Sequence, residues 1–263
     1  MTEGIAVPIL DTVDLSLGYR NRVISEHLDF AVERGTVTAL VGPNGSGKST
    51  LLMALARVLR PRCGVVRLDG TPLGERSSID IARRLAILPQ TAVAPPGLRV
   101  RELVEQGRYP RLGALSMLRR CDDEAMQRAM SLTGIETFAE RKLDSLSGGE
   151  RQRAWIAMAL AQETEILLLD EPTTYLDVRH QIDLLELVVD LVRTHGKTVV
   201  MVLHDLNQAA RYSDRIVALR DGAIVADGHP AEVVTAHLLE HVFGVRARII
   251  TDPVAGRPMF VAE

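Results

Sequence analysis

Residues 42–50 read Gly42-Pro43-Asn44-Gly45-Ser46-Gly47-Lys48-Ser49-Thr50, entered from a short apolar run, Val37 to Val41, and left by a helical stripe. No other segment limits the fold so strongly. A short apolar run suits a strand buried on both faces of a parallel sheet. Leu51, Leu52, Leu55, Val58 and Leu59 predict a helix from Lys48 until Pro61 stops it. Between such a strand and such a helix, a glycine-rich turn aims backbone N–H groups inward around a polyphosphate. The helix N-terminus adds further donors and a favourable dipole. Lys48 is then suited to the β and γ phosphates, and the Ser49 hydroxyl to Mg²⁺.

The rest of the chain supplies a setting for that turn. Residues 12–19 alternate, with Val13, Leu15, Leu17 and Tyr19 expected on one face, and Leu28, Phe30 and Val32 repeat the period. Both predict half-buried antiparallel strands. Further apolar runs at Leu85–Leu88, Ile166–Leu169 and Val199–Leu203 predict buried parallel strands, and intervening helical patterns make the class α/β. From about residue 93 to 158 the patterns are helical, with one helix expected over 122–133, capped by Asp122 and ended by Gly134. This stretch reads as a helical insert in an α/β core of residues 1–92 and 159–263. Arg220-Asp221-Gly222 between Ile216–Leu219 and Ala223–Ala226 predicts a hairpin, and a last helix is expected over 231–243, before Gly244.

A second strand end brings carboxylates to the same sheet edge. Ile166–Leu169 delivers Asp170, suited to Mg²⁺, and Glu171, suited to orienting or deprotonating an attacking water. That pair points to hydrolysis rather than passive nucleotide binding, and no Asn-Lys-x-Asp motif indicates guanine. Composition excludes other classes. A formal net charge of −3 argues against a general nucleic-acid binder, and 3% aromatics against a stacking surface for single strands. Two cysteines build neither a disulfide framework nor a four-cysteine zinc site, which fits a reducing compartment. No signal-peptide pattern opens the chain, and no apolar run approaches the roughly 18 residues that span a bilayer.

Leu146-Ser147-Gly148-Gly149-Glu150-Arg151-Gln152 precedes the helical pattern Ala154 to Ala161. A serine with a glutamate three residues on also fits a capping box. Together with the phosphate loop and the Asp170-Glu171 pair, this segment resembles the signature of the ATP-binding cassette family, and the resemblance covers essentially the whole chain. It implies a P-loop NTPase (RecA-like) core with an N-terminal antiparallel β-subdomain and an inserted helical signature subdomain, all within one domain. It also implies that Tyr19 stacks on adenine, that Gln90 senses the γ-phosphate and Mg²⁺, that Asp177 communicates across a dimer, and that His204 contacts the γ-phosphate. In that family two chains pair head to tail, each ATP lying between the phosphate loop of one and the Ser147-Gly148-Gly149 segment of the other.

The work driven by hydrolysis divides into two classes: a transporter with a separate membrane permease, or a mechanical ATPase acting on DNA or ribosomes. The resemblance favours the transporter, because the long coiled coil of chromosome-type relatives does not fit between Thr50 and Leu146, and neither the paired cassettes of translation-factor relatives nor the zinc modules of excision-repair relatives occur. Six arginines against two glutamates between residues 99 and 120 suggest a basic face toward a permease or lipid, or a solvated helix face. A groove beside Gln90 is expected to seat a partner helix. Gly107-Arg108-Tyr109-Pro110, the segments His180–Leu187 and His204–Tyr212, and Asp252–Gly256 resemble the ferric-siderophore branch of bacterial importers, which shades into haem and cobalamin importers. The resemblance implies a peripheral subunit on the cytoplasmic face of the inner membrane, working with permease subunits and an extracytoplasmic binding protein. The seven histidines do not cluster with metal-ligand spacing.

Overall fold

The computed structural model describes residues 7–20, 22–112 and 123–263. The chain opens with β1 (Leu10–Tyr19), β2 (Arg22–Leu28) and β3 (Ala31–Val32), both later strands antiparallel to β1. The expected alternation holds only in part. Leu15 and Leu17 are buried, but Val13 and Tyr19 are exposed. The cause is a bulge: Asp14 takes φ 49°, and the register slips between Val13 and Ser16. Thr12 turns inward instead, donating to Leu28 O and accepting from Phe30 N at 2.9 Å each.

Next come β4 (Val37–Val41), buried at every position, and α1 (Lys48–Leu55). The helix ends well before Pro61. Arg57 takes a left-handed φ of 57°, the Arg57 N–H bonds Ala54 O, and the Val58 N–H bonds Met53 O. These two bonds form a Schellman motif, which stops the helix and turns Val58 into solvent. The chain returns as β5 (Cys63–Leu68) and β6 (Thr71–Pro72), which complete a sheet ordered β2-β1-β5-β6. The sequence pattern does not predict β5, which begins with exposed Cys63 and Gly64; it is held by pairing with β1, where Arg67 Nε donates to Asp11 at 2.8 Å.

After α2 (Ser78–Arg84), capped by Ser77, β7 (Leu85–Leu88) enters the second sheet. A helical layer follows: α3 (Val100–Gln106), α4 (Tyr109–Leu112), α5 (Asp123–Leu132) and α6 (Gly148–Ala161). Gly134 ends α5 at φ 61°, while the cap expected at Asp122 lies outside the described residues. Alternate faces of α6 enter two cores: Ala154, Ala157 and Ala161 join the helical layer, and Ile156 and Ala159 face the sheet.

The remaining elements are β8 (Ile166–Asp170), α7 (Val178–Arg193), β9 (Thr198–Val202), α8 (Leu206–Tyr212), β10 (Arg215–Arg220) and β11 (Ala223–Gly228). The second sheet is ordered β11-β10-β4-β9-β8-β7, parallel except for the antiparallel β10–β11 hairpin. The hairpin turn has Asp221 at φ 49° and Gly222 at φ 81°, as its sequence requires. The helix expected over 231–243 is broken. It divides into α9 (Pro230–Val233) and α10 (Ala236–Leu238), followed by a π-turn over Leu239–Phe243, because Thr235 is extended and caps Leu238 N. A terminal hairpin of β12 (Ala247–Thr251) and β13 (Pro258–Ala262), absent from the sequence reading, is pinned by Asn207, which bonds both main-chain groups of Phe260.

The basic face expected over 99–120 does not stand free in the described residues. Arg99 pairs with Glu140 at 2.6 Å, and Arg101 lies 3.8 Å from the same carboxylate. Arg108 is buried, donating to Ala161 O at 2.6 Å and Glu163 at 2.9 Å, and Arg111 donates to Gln162 O and Glu163 O. Arg119 and Arg120 lie outside the described residues. The Gly107 corner therefore clasps the C-terminus of α6. A Cβ at Gly107 would lie 2.1 Å from Met158 O. Gly107→Ala should destabilise the fold by about 1–3 kcal/mol through overpacking, read as a lowered Tm. An unchanged Tm would mean that α3 and α6 separate without cost.

Candidate functional site

Positive φ at Gly42, Gly45 and Gly47 winds the loop after β4. Two of these glycines cannot carry a side chain: a Cβ on Gly42 would stand 2.0 Å from Leu219 O, and one on Gly47 would stand 2.9 Å from Ser25 Oγ. The β10–β11 turn backs the same loop, with the Gly222 N–H bonding Ser46 O at 3.2 Å. The loop is thus pressed into shape by β2 and β10.

Lys48 is buried, and its Nζ donates to Gly42 O and Pro43 O at 2.8 Å. Burial holds its pKa below the usual lysine range, opposed by the charges of Glu171 and Asp170. Ser49 Oγ donates to Asp170 Oδ1 at 2.8 Å, joining the start of α1 to the end of β8. Burial raises the Asp170 carboxyl above the usual range, and the Glu171 charge adds to this; the Ser49 bond and Lys48 oppose it.

Glu171 has φ 50° and turns its carboxylate over the loop. Gln90 Nε2 donates to its Oε2 at 2.7 Å, His204 Nε2 lies 2.7 Å from its Oε1, and Thr174 Oγ1 donates to Oε2 at 3.2 Å. Asn44, Gly45, Gly47, Lys48, Ser49, Thr50, Gln90, Glu171 and His204 line one cavity of about 490 Å³. Arg22 and Ile24 also line it, and no local signal marks them, since β2 belongs to the other sheet and meets the loop only by packing of Ile24 and Ser25 against Gly47 and Gly222. Thr174 could have been found from its place three residues after Glu171 in a Pro-Thr-Thr turn.

Other expected residues stand elsewhere. Tyr19 is half-exposed at the β1–β2 turn, paired with Arg22 but outside the cavity lining. Ser147 accepts from Glu150 N at 3.3 Å while Glu150 accepts from Ser147 N at 2.8 Å, so the capping box forms. That main-chain bond holds the Glu150 carboxyl below its usual range. Gly148 and Gly149 face Tyr175 and Leu176, not the cavity of their own chain. Asp177 caps α7 by accepting from His180 N at 2.9 Å.

The donors fit a polyphosphate with a divalent cation: a glycine-wound cradle, a buried cation and a hydroxyl–carboxylate pair. Among the described residues no group of three or more His, Cys, Asp or Glu forms a separate metal centre, and no helix is long and apolar enough to cross a membrane.

Comparison with known proteins agrees with this geometry. The family model described as ABC transporter matches residues 25–174. The chain is 51% identical to the ferric enterobactin transport ATP-binding protein FepC of Escherichia coli strain K12, over 99% of this chain and 96% of that one. It is 47% identical to the iron(3+)-hydroxamate import ATP-binding protein FhuC of Bacillus subtilis strain 168, over 95% and 93%. Among solved structures, the cassette MJ0796, in a dimeric post-hydrolysis state bound to ADP and Pi, superposes with a TM-score of 0.75 at 29% identity, covering 84% of this chain and 98% of that one.

The raised Asp170 pKa has a consequence for stability. A carboxyl more easily protonated in the folded state disfavours folding above its ordinary pKa, and the penalty vanishes at lower pH. Asp170→Asn, which still accepts from Ser49, should raise the Tm of nucleotide-free protein at pH 7 while abolishing turnover. The gain should shrink as pH falls toward about 4. A lower Tm at pH 7 would contradict this account.

Proposed function

This chain belongs to the ABC transporter family of ATPases, and from that premise we propose that it is the energy-coupling subunit of a bacterial ferric-siderophore importer. The shared cavity carries the ATPase part of this reading, and the similarity to ferric enterobactin and iron(3+)-hydroxamate ATP-binding proteins supports the cargo. Phosphate loop, Glu171 and His204 face one another, while the Ser147–Gly149 segment points away from them.

In this reading Glu171 accepts a proton from the attacking water, oriented by Gln90 and Thr174, and His204 steadies the γ-phosphate. Lys48 exchanges its carbonyl partners for phosphate oxygens. Ser49, Asp170 and Gln90 would hold Mg²⁺, which would supply charge neutralisation at the β and γ phosphates. Tyr19 lies under the adenine. The helical unit that carries the signature is the one expected over 93–158, although α6 runs on past that boundary to Ala161.

Two copies pair head to tail as a homodimer. Each lends Ser147, Gly148 and Gly149 to the nucleotide on the phosphate loop of the other, and Asp177 lies at the crossing. The dimer sits on the cytoplasmic face of the inner membrane against permease subunits, fed from outside by a binding protein, with no nucleic-acid partner. A groove of about 250 Å³, floored by Ile81, Leu85 and Ile87, supports permease docking. Its wall is β7, whose following residues Pro89 and Gln90 lead to Glu171.

Glu171→Gln should bind ATP, lose about 10²–10⁴ in turnover and accumulate as a closed dimer by size exclusion. Near wild-type turnover would remove Glu171 from the role. Lys48→Ala should weaken nucleotide affinity together with rate, measured by titration. Co-purified with its permease in vesicles, the chain should drive ATP-dependent uptake of ferric siderophores. Uptake of haem or cobalamin alone would reassign the cargo, and stimulation of turnover by DNA or ribosomes would reassign the class.

A further inference from the structure

A cavity of about 610 Å³ lies away from the phosphate loop, between the end of α1 and β5. Arg57, Arg60 and Arg62 line it above an apolar floor that includes Val66 and Leu73, and no acidic side chain is part of the lining. Elsewhere arginines are largely neutralised: Arg84 lies against Glu165 at 2.6 Å, Arg99 against Glu140 at 2.6 Å and Arg215 against Asp227 at 2.5 Å. Here Arg57 donates to Arg76 O at 2.8 Å and Arg62 to Arg20 O at 2.6 Å. Carbonyl bonds orient a guanidinium without cancelling its charge. Arg60 engages no partner among the described residues. The Schellman stop of α1 creates the arrangement, because the left-handed Arg57 swings Arg57 and Val58 out over the cavity.

Guanidinium groups recognise a phosphate by paired N–H donors, and three of them line this cavity beside apolar residues that suit a hydrocarbon attached to it. Arg57 also lines the groove assigned above to the permease, so cavity and groove adjoin through that side chain. Val58 on the rim is 65% exposed, an apolar side chain ready to enter an interface. We propose that this cavity binds the phosphate headgroup of an anionic phospholipid of the adjoining leaflet. The choice of a lipid over a soluble phosphate compound rests on the permease reading; the phosphate chemistry does not.

The test is flotation of the full-length, nucleotide-free chain with vesicles of phosphatidylglycerol and phosphatidylcholine in equal parts, against phosphatidylcholine alone. Only the anionic vesicles should bind, and binding should weaken with salt. Arg60→Glu should weaken binding on the order of 20-fold, at about fivefold per charge near an anionic surface. Its ATPase activity should be unchanged, which certifies the fold. Arg246→Glu, an equal charge change at a highly exposed site elsewhere, should alter binding less than about twofold. Equal losses in both variants, or binding that ignores phosphatidylglycerol, would overturn the proposal. Calorimetric saturation of an Arg60-dependent site by glycerol phosphate, without vesicle binding, would overturn the lipid assignment in favour of a soluble anion. Intact vesicle binding with no effect of any permease on ATPase rate would fault the permease reading alone.

Discussion

The carboxylate of Glu171 is where three strands meet. Gln90 follows β7, Glu171 follows β8 and His204 follows β9, and these are consecutive neighbours in the parallel sheet. Parallel order brings all three carboxyl ends to one edge, and β4, beside β9, brings the phosphate loop to it. A carboxylate tied to residues from both flanking strands registers any sliding between them. The geometry of the site is therefore a property of sheet order more than of any loop.

Buried charge sets the second condition. Lys48 keeps its charge out of water by leaning on two carbonyls of its own loop and on the nearby Asp170 and Glu171. Asp170 is held by the Ser49 hydroxyl yet is raised by burial. Such a site favours arriving phosphate and cation, because phosphate oxygens can replace the two carbonyls on Lys48 and a cation can neutralise the carboxylates of Asp170 and Glu171. The cost appears in the apo protein and is offset on binding.

Much of this was legible in the sequence, and the exceptions share a physical cause. Short, almost wholly apolar runs marked Val37–Val41, Ile166–Leu169 and Val199–Leu203, because strands buried on both faces admit few polar residues, Thr38 being the exception among them. The Asp221-Gly222 turn was legible because its backbone angles select its residues. Strand β5 and the terminal hairpin were not, since each depends on partners far along the chain, such as Leu10–Val13 or Asn207. The bulge at Asp14 and the early end of α1 at Arg57 both come from single non-glycine residues at positive φ, which composition does not announce. The arginines of 99–120 looked like a surface because charge counting cannot see Glu140 or Glu163 across the fold. Arg22 and Ile24 entered the site for the same reason.

Helix α6 is fastened at both ends. Its first turn carries the Ser147–Glu150 box, and its last carbonyls are held by Arg108 and Arg111. At about 1.5 Å per residue it is a rod of roughly 20 Å. A rod clamped at its ends does not absorb motion by fraying. The Gly107–Arg111 corner, which touches α2 through the Arg83 bond to Pro110 O, is joined by this rod to Ser147 at the opposite tip. Distance between the two tips is thereby converted from a barrier to signalling into its lever arm.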